Sequence, residues 1–221
     1  MKRCRLCGKP IQVKPERGIH PTCIKRMFGV KYFPAIDLSL NDLPALTPES
    51  LPGEREPLHR VEAELALNRK SKKLELVNGG GQHSQGDFLL RAGGMSNLPE
   101  NEYICLTIAA NMGTSVPLRS LVKLNGGGTA LLVKRIDRPD GKTGGAAIKS
   151  RGAADILGKK DKYDGDLLDV GRYIHRVSEF PGLDVQLFFE MVLLAFIIGD
   201  NDLNYQRFAV LYRPDEETGR V

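Results

Sequence analysis

Four side chains at the amino-terminal end have the types and the spacing of a metal site. Cys4 and Cys7 form a C-x2-C knuckle and His20 and Cys23 an H-x2-C knuckle, with twelve residues between the two. Zinc takes four thiolate or imidazole ligands in a tetrahedron, and paired knuckles on tight turns supply them with little chain to order. Three thiolates and one imidazole leave no open position, so the expected role of zinc is structural. Gly8 and Gly18 suit the turns around such knuckles. The remaining cysteine, Cys105, stands beside Leu106 on an expected helix and reads as a small buried hydrophobe.

Other reactive side chains are less organised. Asp202 stands in the polar loop Asp200-Asn201-Asp202, where a carboxylate can orient a hydroxyl or simply be a solvated turn residue. Lys142 and Thr143 follow Gly141, but a P-loop needs a glycine where Ile136 stands. The glycine clusters at 79–81 and 126–128 have the chemistry of hairpin turns. His59, His83 and His175 share no ligand spacing.

These candidates sit in a chain of 221 residues with 32 basic and 27 acidic side chains, a net charge of +5. The charge is uneven: residues 1–31 hold nine basic groups and one acid, hence +8, and the rest of the chain sums to −3. Such a head suits a solvated face, an acidic protein partner, or nonspecific attraction to nucleic-acid phosphates. Only Phe28 is aromatic before residue 30, so no stacking array for single strands is expected. A composition of 41% hydrophobic and 27% charged residues is that of a folded globular chain. The longest uninterrupted apolar run, 191–198, is eight residues, so no membrane partner is expected. No apolar stretch follows the basic N-terminus, which points away from export and toward the cytoplasm.

The elements that must position these residues follow from pattern. Five prolines between 34 and 57 make that segment a linker or a wrapping strap. Residues 73–77 (KLELV) and 87–91 (DFLLR) read as strands around a glycine-rich turn. A helix is expected over 100–112, between Pro99 and Gly113, and then a hairpin of SLVKLN and TALLVKRID. Residues 169–177 are amphipathic, and 186–198 are apolar almost all round, which predicts a buried helix. FAVLY at 208–212 reads as a strand.

Several segments in this order resemble the HipA-like serine/threonine kinases, in particular zinc-ribbon-bearing members of toxin–antitoxin loci. They are CRLCG…HPTC…FG through Gly29, LPENEY at 98–103, the MG-x-x-VP turn at 112–117, VKRIDR at 133–138, KYDG…VGRYI, and IIGDNDLNYQRF at 197–208. The resemblance implies an α+β fold: a zinc ribbon (1–31), a Pro-rich linker (32–60), a kinase-like N-lobe (61–148) and the start of an incomplete helical C-lobe (149–221). It implies ATP and Mg²⁺ as substrate and cofactor, and an antitoxin-type protein partner. It also implies roles for single residues: Asp202 as catalytic base, Arg91 on the phosphates, Glu102 on the N-lobe helix. Lys134, Arg135 and Ile136 fall on the adenine hinge, with Asp137 behind it.

Departures from the family pattern weaken the chemistry. Arg207 stands where an asparagine should hold Mg²⁺, and a guanidinium has donors only. Asn204 and Gln206 replace a histidine and a lysine, and Arg91 puts a planar fork where a lysine is usual. The glycine-bearing phosphate loop would fall near 67–73, where the chain reads LNRKSKK. The sequence given ends at Val221, ahead of the family's second metal-binding aspartate. Two readings stand: a HipA-like kinase with weak or absent activity, or a non-catalytic pseudokinase module that docks a partner, nucleic acid, or itself through the apolar helix. So short a ribbon has almost no core of its own, so metal loss is expected to unfold it and spare the rest.

Overall fold

Alternating side chains build the larger sheet. In the computed structural model, β1 (Arg60–Asn68) turns Ala63 and Leu65 inward, and β3 (Phe88–Gly93) does the same with Phe88, Leu90 and Ala92. With β2 (Lys73–Leu76), β4 (Arg119–Lys123) and β5 (Thr129–Lys134) they form a five-stranded antiparallel sheet in the order β2-β1-β3-β5-β4. The structure describes residues 3–11, 18–43, 60–77, 86–93, 97–136, 149–152, 166–200, 203, 208–212 and 219–220. It divides into two units, Met1–Ala110 with Val116–Ile136, and Asn111–Ser115 with Asp137–Val221.

In the first unit one face of the sheet meets the amino-terminal segment. Cys4, Leu6, Ile19, Ile24, Met27 and Phe28 share a single core with Leu65, Leu74, Phe88, Leu90, Val122 and Leu132. The H-x2-C knuckle is the start of α1 (Pro21–Phe28), a helix the spacing alone did not suggest. Pro21 opens it and Gly29, at φ +67°, closes it in the left-handed region. Phe28 carries the contact, with its ring centroid 5.3 Å from that of Phe88 and 5.1 Å from that of Phe33. The ribbon therefore has a core, but it is the sheet's core. Metal loss should be felt by the strands, against the expectation that they would be spared.

The proline-bearing segment is a strap over its described part. Phe33, Ile36 and Leu38 pack on the same core, and single bridges join Ala35 to Lys73 and Ser39 to Asn125. On the other face of the sheet, α2 (Leu98–Asn111) reaches Arg91 through Glu102 and Arg119 through Thr107.

In the second unit, α3 (Leu167–Val177) buries Val170 and Ile174 against Phe188 of α4 (Pro181–Ile198). A small sheet, β6 (Lys149–Gly152), β7 (Ala209–Tyr212) and β8 (Gly219–Arg220), pairs in that order. The helix expected from residue 186 begins at Pro181, because Ser178 hydrogen-bonds the buried Asp184 carboxylate and accepts from the Phe180 amide at 2.9 Å. The expectation that this helix is buried fails on one side. Phe189 and Ile197 are each 62% exposed and Phe196 82%. By length and composition alone α4, at 18 residues and a mean hydropathy of 1.8, is apolar enough to cross a membrane. Counting consecutive apolar residues missed this, because Asp184, Gln186 and Glu190 interrupt the helix.

Because Phe28 joins ribbon to sheet, Phe28→Ala should destabilise the first unit by about 3–5 kcal/mol in urea unfolding followed by strand signal. A loss below about 1 kcal/mol would mean the shared core is not cooperative.

Candidate functional site

The four ligand candidates converge. The Cys4, Cys7 and Cys23 sulfurs and a His20 ring nitrogen all lie within 4.8 Å of one another. His20 Nδ1 is 3.4 Å from Cys7 Sγ and 3.8 Å from Cys23 Sγ. Tetrahedral zinc, at about 2.3 Å from sulfur and about 2.0–2.1 Å from nitrogen, puts neighbouring donors about 3.6 Å apart. The residues fit that ion. His20 Nε2 lies 3.1 Å from the Pro10 carbonyl, which can only accept, so the proton is on Nε2 and Nδ1 is left for the metal.

The sulfurs are electrostatically crowded. Burial, the neighbouring Cys7 thiol and the charges of Cys4 and Cys7 push the Cys23 thiol up to about 12. Burial also works against the Cys4 thiolate, but backbone donors at His20, Leu6 and Cys7 outweigh it and bring Cys4 down to about 7. A divalent cation is what would let all three ionise together.

A second cluster joins β3, β1 and α2. Arg91 Nε donates to Glu62 Oε2 at 2.7 Å, and Nη1 donates to Glu102. Burial pulls the Arg91 pKa down, and the two carboxylates more than reverse it. The structure thus joins two residues that the sequence singled out separately. Glu62 was not foreseen, although the alternation RVEAELAL puts Glu62 and Glu64 on one strand face.

The hinge residues are only partly described. The Lys134 amide donates to Leu118 O at 2.8 Å and the Arg135 amide to Asp87 O at 3.0 Å. Their N–H groups are thus engaged within the sheet, and Ile136 beyond them is exposed. The Arg135 guanidinium pairs with Glu64 at 2.6 Å. Asp137, Asp202, Asn204, Gln206 and Arg207 lie outside the described residues.

The basic stretch that falls where the family's phosphate loop would be lies away from Arg91. Arg69, Lys70 and Lys72 form the β1–β2 turn, locked by Asn68 Oδ1 accepting from the Lys70 and Ser71 amides at 3.0 and 3.2 Å. Arg91 pairs with Glu62, six residues before Asn68, so the turn is about 20 Å from Arg91 along the strand. The two cannot share one phosphate.

Comparison with known proteins identifies the family and the fold. The family model described as HipA-like C-terminal domain matches residues 66–220, and the chain belongs to that family. A Sinorhizobium fredii protein named putative kinase Y4dM is 32% identical over 138 residues, 56% of this chain and 32% of that protein. A Haemophilus influenzae protein named putative kinase is 22% identical over 230 aligned positions, 96% of this chain and 64% of that one. The chain thus spans less than two thirds of either relative. HipA of Shewanella oneidensis, solved with HipB and operator DNA, superposes with a TM-score of 0.60 at 16% identity. That match covers 81% of this chain and 45% of HipA, and it shows the fold. α4 falls inside the family match, so its apolar length is that of a domain helix.

Native mass spectrometry should find one zinc per chain. Its affinity should fall as the solution is taken from about pH 8 to about pH 6, since the Cys23 thiol, pushed up to about 12, must give up a proton throughout and the Cys4 thiol, at about 7, takes one up across that range. Freshly purified protein without metal, or an affinity indifferent to pH, would contradict the site.

Proposed function

We propose that the chain is a HipA-like kinase unit that takes ATP weakly and transfers its γ-phosphate to protein serine or threonine slowly or not at all. The observation that carries this reading is the Arg91–Glu102 pair between a sheet strand and the N-lobe helix. Protein kinases use such a cation–glutamate pair to hold nucleotide phosphates.

The same cluster argues for weakness. Glu62 and Glu102 against one guanidinium sum to −1, whereas a lysine with one glutamate is neutral. Arg91 has Nε and Nη1 engaged, which leaves Nη2 to meet a phosphate oxygen. Mg²⁺, if bound with ATP, would supply positive charge that offsets the phosphates. In the reading from sequence Asp202 orients the acceptor hydroxyl, and Arg207, with donors only, opposes a cation at the neighbouring position. Phosphoryl transfer depends chiefly on positioning and charge neutralisation, so this change removes a main contribution.

The test is transfer of labelled γ-phosphate from ATP to the chain itself or to a cell extract. Little or no labelling is expected, and Arg207→Asn alone should not restore it. Strong Mg²⁺-dependent labelling that disappears in Asp202→Ala would overturn the weak-kinase reading in favour of an active kinase.

A protein partner in the cytoplasm, of the antitoxin kind or a second copy, belongs to the same proposal. It is supported by the exposed face of α4 and by the assembly named for the Shewanella HipA structure. The basic ribbon supports nucleic acid as a further partner. Light scattering should show self-association that Phe189→Glu combined with Phe196→Glu abolishes. A monodisperse wild-type monomer at high concentration would contradict it.

A further inference from the structure

We propose that Tyr103 is a positioning residue that ties the metal knuckle to α2, so that metal occupancy sets how firmly α2 presents Glu102 to Arg91. The functional consequence rests on the nucleotide-site reading above; the mechanical link does not.

Tyr103 follows Glu102 on α2, so the two share a backbone and cannot move independently. The Glu102 side chain reaches Arg91 on the sheet. The Tyr103 hydroxyl donates to the Arg5 carbonyl at 2.7 Å, across 98 residues of sequence. Arg5 lies inside the C-x2-C knuckle, in the turn closed by the Gly8 amide on Cys4 O at 2.8 Å. The position of that carbonyl is therefore fixed by whatever holds Cys4 and Cys7 together. With metal it is a rigid acceptor, and without metal it is part of a short turn.

A second feature fixes the tyrosine from its other side. The Arg119 guanidinium sits 5.5 Å from the Tyr103 ring centroid and donates to Thr107 Oγ1 at 3.0 Å, and Thr107 donates to the Tyr103 carbonyl at 2.7 Å. Arg119 is only 6% exposed, its Nε is without a partner, and no carboxylate among the described residues pairs with it. A buried cation without a carboxylate is costly and is retained where something else compensates it. Here the Tyr103 ring does so, and the knuckle thiolates act in turn on the tyrosine. Tyr103 registers both: burial raises its pKa, Arg119 lowers it, and Cys4 and Cys7 raise it again. Three thiolates on one Zn²⁺ carry a net −1, so the loaded knuckle is anion and anchor at once.

The test is hydrogen exchange of the whole chain, read by mass spectrometry, with zinc bound and after chelation, in wild type and in Tyr103→Phe. In wild type, chelation should speed exchange in peptides covering Leu98–Asn111 several-fold to about tenfold, the size of one hydrogen bond's loss. In Tyr103→Phe, zinc stoichiometry should stay at one and chelation should still loosen Phe88–Gly93. The added effect of chelation on α2 should be gone. A tyrosine that merely packs would lower α2 protection equally with and without metal. That result, or wild-type α2 indifferent to chelation, would overturn the proposal, and the wild-type arm keeps that power even if the variant does not fold. ATP titration of the same samples separates the two readings. Coupled exchange without nucleotide binding would sink the kinase reading and leave the tether standing.

Discussion

A sheet has two faces to bury, and in this protein the second is covered by a metal knuckle. Phe28 lies against Phe88 at the centre of that contact, and Cys4 itself belongs to the core. The ribbon is too short to hold a core alone, and the strands beneath it would expose Leu65, Leu90 and Leu132 without it. Each half supplies what the other lacks. That mutual dependence places the metal ligands, the strap and the sheet in one cooperative unit.

The opposite face carries the polar chemistry. β3 buries Phe88, Leu90 and Ala92 on the ribbon side and sends Arg91 to the other, where Glu62 and Glu102 meet it. One strand thus transmits between the metal-supported core and the charged cluster through a period of two. Two glutamates on one arginine make a firm structural joint. They also leave less positive charge for a phosphate than a simple lysine–glutamate pair would. The fold is that of the family, and on it Arg91 meets two carboxylates.

Legibility in the sequence followed the range of the interaction. The ligands Cys4, Cys7, His20 and Cys23 were readable because knuckle spacing is local, and so were the β4–β5 hairpin and α3. α1 was hidden because the knuckle motif drew attention to its ligands and away from the PTCIKRMF helix between them and Gly29. β1 was hidden by its proline-rich approach, and with it went Glu62. The basic charge at Arg69 to Lys72 is visible in sequence, and its distance from Arg91 is not. Tyr103 to Arg5 had no local signal at all, since 98 residues separate them. Arg91 with Glu102 emerged from family resemblance alone, and the fold then joined them.

The central claim is that the metal knuckle is part of the sheet's own stability, and zinc linkage tests it most directly. If the sheet unfolds together with the site, each tenfold rise in free zinc above the dissociation constant should raise its unfolding free energy by about 1.4 kcal/mol. The readout is the far-ultraviolet strand signal in urea at a series of buffered zinc concentrations. A rising midpoint with that slope is the result expected. A strand transition that ignores zinc, while the knuckle alone gains and loses its metal, would contradict the account.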